Sequence, residues 1–318
     1  AISHWLGGAG SVHGAQVDIE GETQQLPARA CQVTAALEQA RPARAQPHPT
    51  LDMFNHRAFG HLVLVALLFF FIVPNKSHAA VEENNDAVDG EVNFVEITPE
   101  LRAAVQRGLE YLQTVQDEDG SFEGSRYGRH VGITSICCLA FMADGHLPGR
   151  GKYGPVVERG LRFVLDHAQE TGLIAADTSH GPMYGHGFAT LFLGEIYGMT
   201  RDKRVREALV KAVQLIVNTQ NREGGWRYQP LPYDADLSVT ICQIMALRSA
   251  REAGLSVPKK TIERAISYVQ QCQNPADGGF RYMLNSGGSA FPRSAAGVAS
   301  LYYAGVYEGD ALEKGLQY

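Results

Sequence analysis

Several features are missing from this 318-residue chain, and each absence excludes a class of protein. Its five cysteines include no C-x-x-C pair, so zinc ribbons and C-x-x-C-H haem attachment are excluded at the level of motifs. It has no block of Lys and Arg, and its net charge of −6 argues against nucleic acid as a partner. From residue 98 onward it shows no convincing strand pattern, which leaves a helical fold.

The cysteines that are present do not form a disulfide framework. Cys137 and Cys138 are adjacent within an apolar stretch and are poorly placed to bond each other. Cys242 and Cys272 lie in two further predicted helices, and Cys31 lies near the start of the chain. We therefore expect buried free thiols in the helical region.

The front of the chain has the pattern of processing and targeting sequence. Residues 1–52 show neither helical nor strand periodicity, and we interpret them as disordered or as upstream sequence wrongly joined to the reading frame. Met53 opens a segment with Arg57, an apolar run over residues 62–73 and Ser-His-Ala ending at Ala79. This layout is typical of a secretory signal peptide over residues 53–79 and predicts export to the periplasm or outside the cell. An uncleaved anchor is the alternative, although 12 apolar residues are few for a membrane span.

Two regions follow the predicted signal. Residues 80–97 are rich in Asp and Glu and contain no Lys or Arg, which predicts a solvated acidic linker. The part after the signal, residues 80–318, is long enough for one domain with a sizeable core, and residues 98–318 are predicted to form it.

One stretch of the chain recurs at nearly constant intervals. It reads RGLEYLQTVQDEDGSF from Arg107, KAVQLIVNTQNREGGW from Lys211 and RAISYVQQCQNPADGGF from Arg264. A weaker copy, RGLRFVLDHAQETGL, starts at Arg159, and KGLQY at Lys314 begins a fifth. The intervals are 52, 52, 53 and 50 residues. A period of this length indicates an array of supersecondary units, each of which buries its apolar face on its neighbours.

Each copy of the motif lies on an amphipathic helix that is followed by a helix apolar on nearly all sides. Helices of the second kind are expected where other helices enclose them. Two concentric layers of helices satisfy this alternation, and an open α-solenoid is the alternative. The predicted helices start near Pro99 and cover about 131–143, 155–167, 187–197, 205–220, 237–247, 258–273 and 295–307.

The parts of the motif carry a family resemblance. Each clear copy combines a basic residue, a Gln, a short Gly-bearing turn and an aromatic residue, as in Arg107, Gln116, Gly120 and Phe122. This resembles the QW repeat of the terpenoid cyclase and protein prenyltransferase superfamily. The resemblance implies an all-α fold, an α/α toroid with a period of about 50 residues, in which the repeats act as structural clamps. Because such toroids have about a dozen helices, the chain is predicted to be incomplete at its C-terminus.

The third repeat carries the most specific chemical signal. Its sequence DADLSV looks like the region around the D-x-D-D acid motif of squalene-hopene-type cyclases. The resemblance implies that Asp236 donates a proton to an alkene and that Asp234 orients it, although Leu237 stands where the last Asp belongs. The alternative is that Asp236 caps the following helix. A capping Asp is stabilised as an anion, whereas a proton donor has to be neutral, so the two roles require opposite pKa shifts.

The starts of the apolar helices suggest a polar cluster. Aligning them by their apolar runs makes His130, His186, Asp236 and Arg293 equivalent, with Thr240 one turn further along. In a toroid these positions surround one end of an apolar hollow, the usual form of a small-molecule site. Each of them also has a purely structural interpretation: the histidines as hydrogen-bonded groups and Arg293 as a loop cap.

Four aromatic residues are candidates for substrate contact. In a cyclase, aromatic rings stabilise carbocations, and Phe141, Phe192, Tyr302 and Tyr303 lie on the predicted inner helices. Ordinary core packing is the alternative for each.

We predict no cofactor and no metal. The late repeats lack the Asp, Cys and His set of the zinc-dependent protein prenyltransferases, and a complement-type Cys-Gly-Glu-Gln thioester is absent. A metal site made of His130, His186 and Asp236 is a minor alternative. The partner that the resemblance implies is an apolar small molecule such as a polyisoprenoid lipid, with association at a membrane surface.

These observations lead to one functional hypothesis and two alternatives. The chain is predicted to be a squalene cyclase-like repeat protein acting as an acid-initiated terpenoid cyclase. The first alternative is a non-catalytic exported toroid that binds an apolar ligand, a glycan or a protein partner. A carbohydrate-active toroid ranks last because it requires carboxylates facing each other across a cavity.

Overall fold

The computed structural model describes residues 97–124, 127–176 and 181–318. The predictions made for residues 1–96, including the signal peptide and nearly all of the acidic linker, lie outside these residues. The described part contains nine helices and one short antiparallel strand pair, β1 (Glu123–Gly124) with β2 (Gly128–Arg129). The helices are α1 (Pro99–Thr114), α2 (Val131–Ala143), α3 (Gly154–Asp166), α4 (Met183–Thr200), α5 (Lys203–Thr219), α6 (Leu237–Glu252), α7 (Lys259–Gln271), α8 (Phe291–Ala304) and α9 (Asp310–Gln317).

The structure confirms the all-α prediction. Helix α1 begins as expected, with Thr98 as N-cap accepting a hydrogen bond from the backbone N–H of Leu101 at 3.2 Å. Helix α6 extends to Glu252, five residues past its predicted end, and α4 starts at Met183, four residues before its predicted start. The stretch Gly-Pro-Met-Tyr-Gly-His-Gly contains three glycines, and Gly disfavours helix, so the sequence suggested a loop there. Packing against neighbouring helices outweighs this local preference.

The helices pack in two layers. The apolar helices α2, α4, α6 and α8 contact one another in chain order, and the amphipathic helices pack against them. Large side chains such as Trp226, Phe192 and Ile196 are fully buried within this arrangement. The two-layer packing agrees with the predicted alternation. Closure of the layers into a toroid stays a prediction.

The amphipathic helices α1, α3, α5, α7 and α9 are called the outer helices below, and the apolar helices the inner ones. The glutamine of each clear motif copy connects one outer helix to the next. Its side-chain amide donates one hydrogen bond to its own glycine turn and a second to a carbonyl oxygen in the first turn of the following outer helix. Because all three glutamines make the same pair of bonds, they fix the spacing of successive units. The acceptors are Gly120 (3.0 Å) and Val156 (2.9 Å) for Gln116, Gly224 (2.8 Å) and Thr261 (2.9 Å) for Gln220, and Gly278 (2.8 Å) and Ala311 (2.7 Å) for Gln273.

The described cysteines are free thiols, as expected. Cys138, Cys242 and Cys272 are buried, and Cys137 is half-buried. Burial raises the pKa of Cys137 and of Cys272 to about 12, so these thiols are protonated and unreactive at neutral pH. In the described part of the chain, no helix combines the length and apolar character needed to cross a bilayer.

Candidate functional site

Asp236 lies at the centre of the candidate site. It is the N-cap of α6, in extended conformation, and its side chain is fully buried. One carboxyl oxygen, Oδ1, accepts hydrogen bonds from the backbone N–H of Val239 at 2.9 Å and from the hydroxyl of Ser238 at 2.6 Å. The other oxygen, Oδ2, is buried and has no hydrogen-bond partner among the described residues. Burial of an unpartnered carboxyl oxygen disfavours the charged form of the group.

The pKa of Asp236 is accordingly raised above its ordinary value. Burial is the main cause, and it outweighs the hydrogen bonds from Ser238 and Val239 and the positive charge of Arg227, which all lower the pKa. The sequence presented capping and proton donation as opposed roles. The structure combines a cap with a raised pKa, because capping uses Oδ1 alone while burial acts on the whole carboxyl group.

Ser238 connects Asp236 to the neighbouring helix. Its hydroxyl lies 2.5 Å from the phenol oxygen of Tyr184, the second residue of α4. Tyr184 and Ser238 are both half-buried. Burial and the negative charge of Asp236 raise the pKa of Tyr184, so its phenol stays protonated and can donate a hydrogen bond.

Three tyrosines lie near Ser238 and Asp236, and we call them the tyrosine cluster: Tyr184, Tyr228 and Tyr282. The rings of Tyr184 and Tyr228 lie 5.9 Å apart between centroids, and the phenols of Tyr228 and Tyr282 are hydrogen-bonded to each other. The backbone N–H of Leu237 donates to the carbonyl oxygen of Tyr282 at 2.9 Å, which holds Tyr282 at the start of α6. All three rings are half-buried, so they combine aromatic surface with polar phenol groups beside Asp236.

Asp234 does not contact Asp236 through any described hydrogen bond. Its carboxylate pairs with Arg227, Nε to Oδ2, at 3.2 Å, and its side chain is 56% exposed. The guanidinium of Arg227 also lies 5.0 Å from the ring centroid of Tyr228. Asp234 thus pairs with Arg227, whose charge lowers the pKa of Asp236.

The predicted equivalence of the helix starts needs correction. The N-cap positions of α2, α4, α6 and α8 are His130, Pro182, Asp236 and Ala290. His186 lies inside α4, one turn beyond its cap, and Arg293 lies inside α8. The apolar runs misled the alignment because α4 and α8 begin earlier than their apolar sequences do.

His186 instead occupies a position that hydroxyl residues fill in the other units. In each unit a side chain from the first turn of the inner helix accepts a hydrogen bond from a backbone N–H of the preceding turn segment. Thr240 is a member of this set, and its hydroxyl binds the N–H of Trp226. The four pairs are Phe122 with Thr134 (2.9 Å), Ile174 with His186 Nδ1 (3.2 Å), Trp226 with Thr240 (3.1 Å) and Phe280 with Ser294 (2.8 Å).

Both histidines and Arg293 have structural partners. Nδ1 of His130 accepts from the backbone N–H of Gly132 at 3.1 Å and caps α2. His186 is fully buried, and burial lowers its pKa to about 4, so it is neutral at pH 7. Arg293 donates to the carbonyl oxygen of Gly288 at 2.9 Å, which is the loop-capping role. The structure does not bring these three residues into hydrogen-bond contact with Asp236 through any described bond.

The four candidate aromatic residues divide into two groups. Phe141 and Phe192 are fully buried, and the Phe141 ring lies 5.1 Å from that of Tyr153, as expected for core residues. Tyr302 and Tyr303 are half-buried on α8. The guanidinium of Arg248 lies 5.5 Å from the Tyr303 ring centroid, so a cation already occupies the vicinity of that ring.

Several residues near Asp236 were not predicted from the sequence. Tyr228 and Tyr282 follow the motif aromatics Trp226 and Phe280 at the same spacing, in the shared pattern Gly-Gly-aromatic-Arg-Tyr. That repetition was a visible signal. Tyr184 had no such signal, because its contact with Ser238 joins two repeats.

A half-buried carboxyl group with a raised pKa was also not predicted. Glu195 lies in the apolar stretch of α4, and its Oε1 accepts a hydrogen bond from the Ser249 hydroxyl at 2.8 Å. Burial is the main cause of its raised pKa, and the nearby charge of Glu252 adds to it. The sequence did contain a signal for this group, because Glu195 is the charged residue in the otherwise mostly apolar stretch GFATLFLGEIY.

Two further observations bear on ligand sites. A groove of about 290 Å³ lies between the outer helices α3 and α5, and its lining includes Arg162, Glu207 and Lys211, which places it away from Asp236. Within the described ranges, no group of three or more His, Cys, Asp and Glu side chains is arranged to hold a metal ion. The apolar hollow and the absence of a metal from the full protein both stay predictions.

The chain is similar to a small set of solved structures. No model of a known protein family matches it, and no curated protein does. A variant of the type II terpene cyclase MstE from Scytonema, bound to its substrate geranylgeranyl dihydroxybenzoate, has a TM-score of 0.48 and 15% identity, covering 69% of this chain and 61% of that one. A second MstE variant, bound to the product merosterolic acid A, has a TM-score of 0.48 and 14% identity, covering 70% and 64%. A protein from Actinoplanes has a TM-score of 0.43 and 16% identity, covering 68% and 64%. The chain thus spans less than two thirds of each of these structures.

Proposed function

We propose that the chain is an acid-initiated cyclase of a polyisoprenoid lipid, built as an α/α toroid, with Asp236 as the general acid. The observation that carries the proposal is the state of the Asp236 carboxyl group: fully buried, with Oδ2 unpartnered among the described residues and the pKa raised. A neutral acid in an apolar site is what protonation of an alkene requires. The substrate class rests on the resemblance of the repeats and of the Asp234–Asp236 segment to squalene-hopene-type cyclases.

The surroundings of Asp236 fit proton donation. In the neutral acid the proton resides on Oδ2, since Oδ1 already accepts two hydrogen bonds. When the proton leaves for the alkene carbon, the resulting carboxylate keeps the Val239 N–H and the Ser238 hydroxyl as donors, and the charge of Arg227 acts in the same direction. Groups that stabilise the anion make the buried acid stronger without a change in its position.

The tyrosine cluster offers the next element of the mechanism. Its half-buried rings lie beside the acid, and the face of an aromatic ring attracts a developing carbocation. Because Asp236 itself is fully buried, the reacting double bond has to displace a neighbouring side chain to reach the carboxyl group. The half-buried tyrosines are the candidates for that displacement.

Turnover of polyisoprenoids tests this proposal. The protein is incubated with squalene and with shorter polyprenyl compounds, and cyclised products are sought by gas chromatography with mass spectrometry. Asp236→Asn is expected to abolish the product, because an amide caps the helix equally well but is no acid. Asp202→Asn is the matched control, since Asp202 also caps a helix, α5, but is more exposed and has a lowered pKa. Product formation by Asp236→Asn would exclude Asp236 as the acid.

A non-catalytic lipid-binding protein is the second candidate function. The observation that favours it is Leu237, which is fully buried where the acid motif of the resembling cyclases has its last Asp. On this alternative, the wild type and Asp236→Asn bind a fluorescent polyprenyl probe equally well, and neither forms product.

A further inference from the structure

A hydrogen-bond chain of three side chains ends on the Asp236 carboxyl group. The Tyr184 phenol lies 2.5 Å from the Ser238 hydroxyl oxygen, and that oxygen lies 2.6 Å from Oδ1 of Asp236. Tyr184 comes from α4, while Ser238 and Asp236 come from the start of α6, so the chain spans two inner helices. Both distances are within hydrogen-bonding range for two oxygen atoms.

The direction of the chain follows from counting protons. A serine hydroxyl has one proton, and the unprotonated Oδ1 has only lone pairs to offer. Ser238 therefore donates its proton to Asp236 and accepts a hydrogen bond from the phenol of Tyr184. Donation from a phenol polarises the serine hydroxyl and strengthens its bond to the carboxylate.

We propose that Ser238 and Tyr184 act as a pair of positioning residues that hold the Asp236 carboxyl group in one orientation and stabilise its charged form. The acid motif of the resembling cyclases has a last Asp where this chain has Leu237. Ser238 and Tyr184 together supply the polar contacts that Leu237 cannot make. Leu237 is buried and has no side-chain group to donate, whereas Ser238 is the next residue and reaches the same carboxyl oxygen as the capping N–H of Val239. The catalytic consequence rests on the proposed function, but the hydrogen-bond chain itself does not.

Other groups also act on Asp236, and the test has to separate them. The charge of Arg227 lowers the pKa of Asp236, while the remaining neighbours are tyrosines and cysteines, which are neutral at pH 7 and whose pKa values burial raises further. Since neither Ser238 nor Tyr184 carries a charge, replacing them leaves these electrostatic interactions in place. The titratable neighbours of Asp236 are Arg227, Tyr184, Tyr282, Cys242, Tyr268 and Cys272.

Carboxyl carbon NMR on the full chain tests the pair, with Asp236→Asn identifying the signal. Ser238→Ala is expected to make Asp236 about tenfold weaker as an acid, since a hydrogen bond to a charged group contributes about 1.5 kcal/mol or more. Tyr184→Phe is expected to act in the same direction with a smaller effect, and Ser238→Thr to restore the wild-type value. An unchanged Asp236 titration in both Ser238→Ala and Tyr184→Phe would overturn the proposal.

Turnover then separates this inference from the proposed function. If the wild type cyclises a polyprenyl substrate, Ser238→Ala is expected to lower kcat about tenfold and to shift the descending limb of its pH profile upward, with KM unchanged. A change in KM alone would overturn the positioning role. If the wild type forms no product while the titration of Asp236 still responds to Ser238→Ala, the hydrogen-bond chain stands and the cyclase function fails.

Discussion

The backbone N–H of Val239 donates a 2.9 Å hydrogen bond to Oδ1 of Asp236, so the residue proposed as the acid also starts helix α6. Replacing the carboxyl group therefore affects stability as well as chemistry. Asn preserves the cap and removes the titration, which makes Asp236→Asn the variant that isolates the charge.

The Asp236 carboxyl group is expected to make stability depend on pH. Its folded-state pKa is raised above the unfolded value of about 3.9, so its stabilising contribution is present below that value and is lost as the pH rises through the folded pKa. The free energy of unfolding of Asp236→Asn, relative to the wild type, should therefore increase with pH over this window and then level off. Urea denaturation at a series of pH values measures it. The opposite slope would show that the carboxylate is stabilised in the folded state.

His186 should make the protein sensitive to acid. Its pKa is lowered to about 4 by burial, so below the unfolded value of 6.5 the unfolded chain binds a proton that the folded protein does not. The free energy of unfolding should fall by about 3 kcal/mol between pH 6.5 and pH 4 on this account. His186→Thr, which restores the residue type of the equivalent positions, is expected to abolish this loss in urea denaturation. Equal acid sensitivity of variant and wild type would contradict the assignment.

Gln220 is expected to contribute strongly to stability. Its side-chain amide satisfies the buried carbonyl oxygens of Gly224 and Thr261, and Gln220→Ala leaves both with one fewer donor. The expected loss is about 2 kcal/mol, measured as a lower midpoint of urea denaturation. The control is Gln271→Ala on α7, whose exposed amide binds Ser267 of the same helix and should cost less than about 0.5 kcal/mol. Similar losses in the two variants would argue against a stabilising role for the two hydrogen bonds of Gln220.

Gly224 tests how closely successive units approach. It has a φ of 105°, and a methyl group there would overlap the carbonyl oxygen of Arg264 on the next outer helix. Gly309 has a similar φ of 112° but open space around it. Gly309→Ala should therefore cost about 1–3 kcal/mol from backbone strain alone, and Gly224→Ala clearly more. Calorimetric melting of both variants compares them, and equal losses would show that the close approach is unimportant.

The repeat architecture could be predicted from the sequence because its signals are local or periodic. The spacing of the motif, the alternation of amphipathic and apolar helices and the cap at Thr98 all depend on short stretches of sequence. The same holds for Asp236 at a helix start, since its Oδ1 binds groups only two and three residues away.

The chemical environment of Asp236 could not be predicted in the same way. Whether its carboxyl group is charged or neutral depends on burial, which the packing of α6 against its neighbours decides. The apolar runs also misplaced His186 and Arg293, because α4 and α8 both start before their apolar runs. Phe141 and Phe192 were candidates for substrate contact, and the helix layers bury both completely.

The sequence by itself determined the helical class, the period and the chemical type of the central residue, since each follows from hydrogen bonding and apolar spacing within a few turns of chain. Only the tertiary structure decided which groups meet. Tyr184 and Ser238 are 54 positions apart and bond because α4 packs on α6, and the same packing buries Oδ2 of Asp236 without a partner among the described residues. Burial and contacts between helices are properties of the assembled layers, and no single repeat contains them.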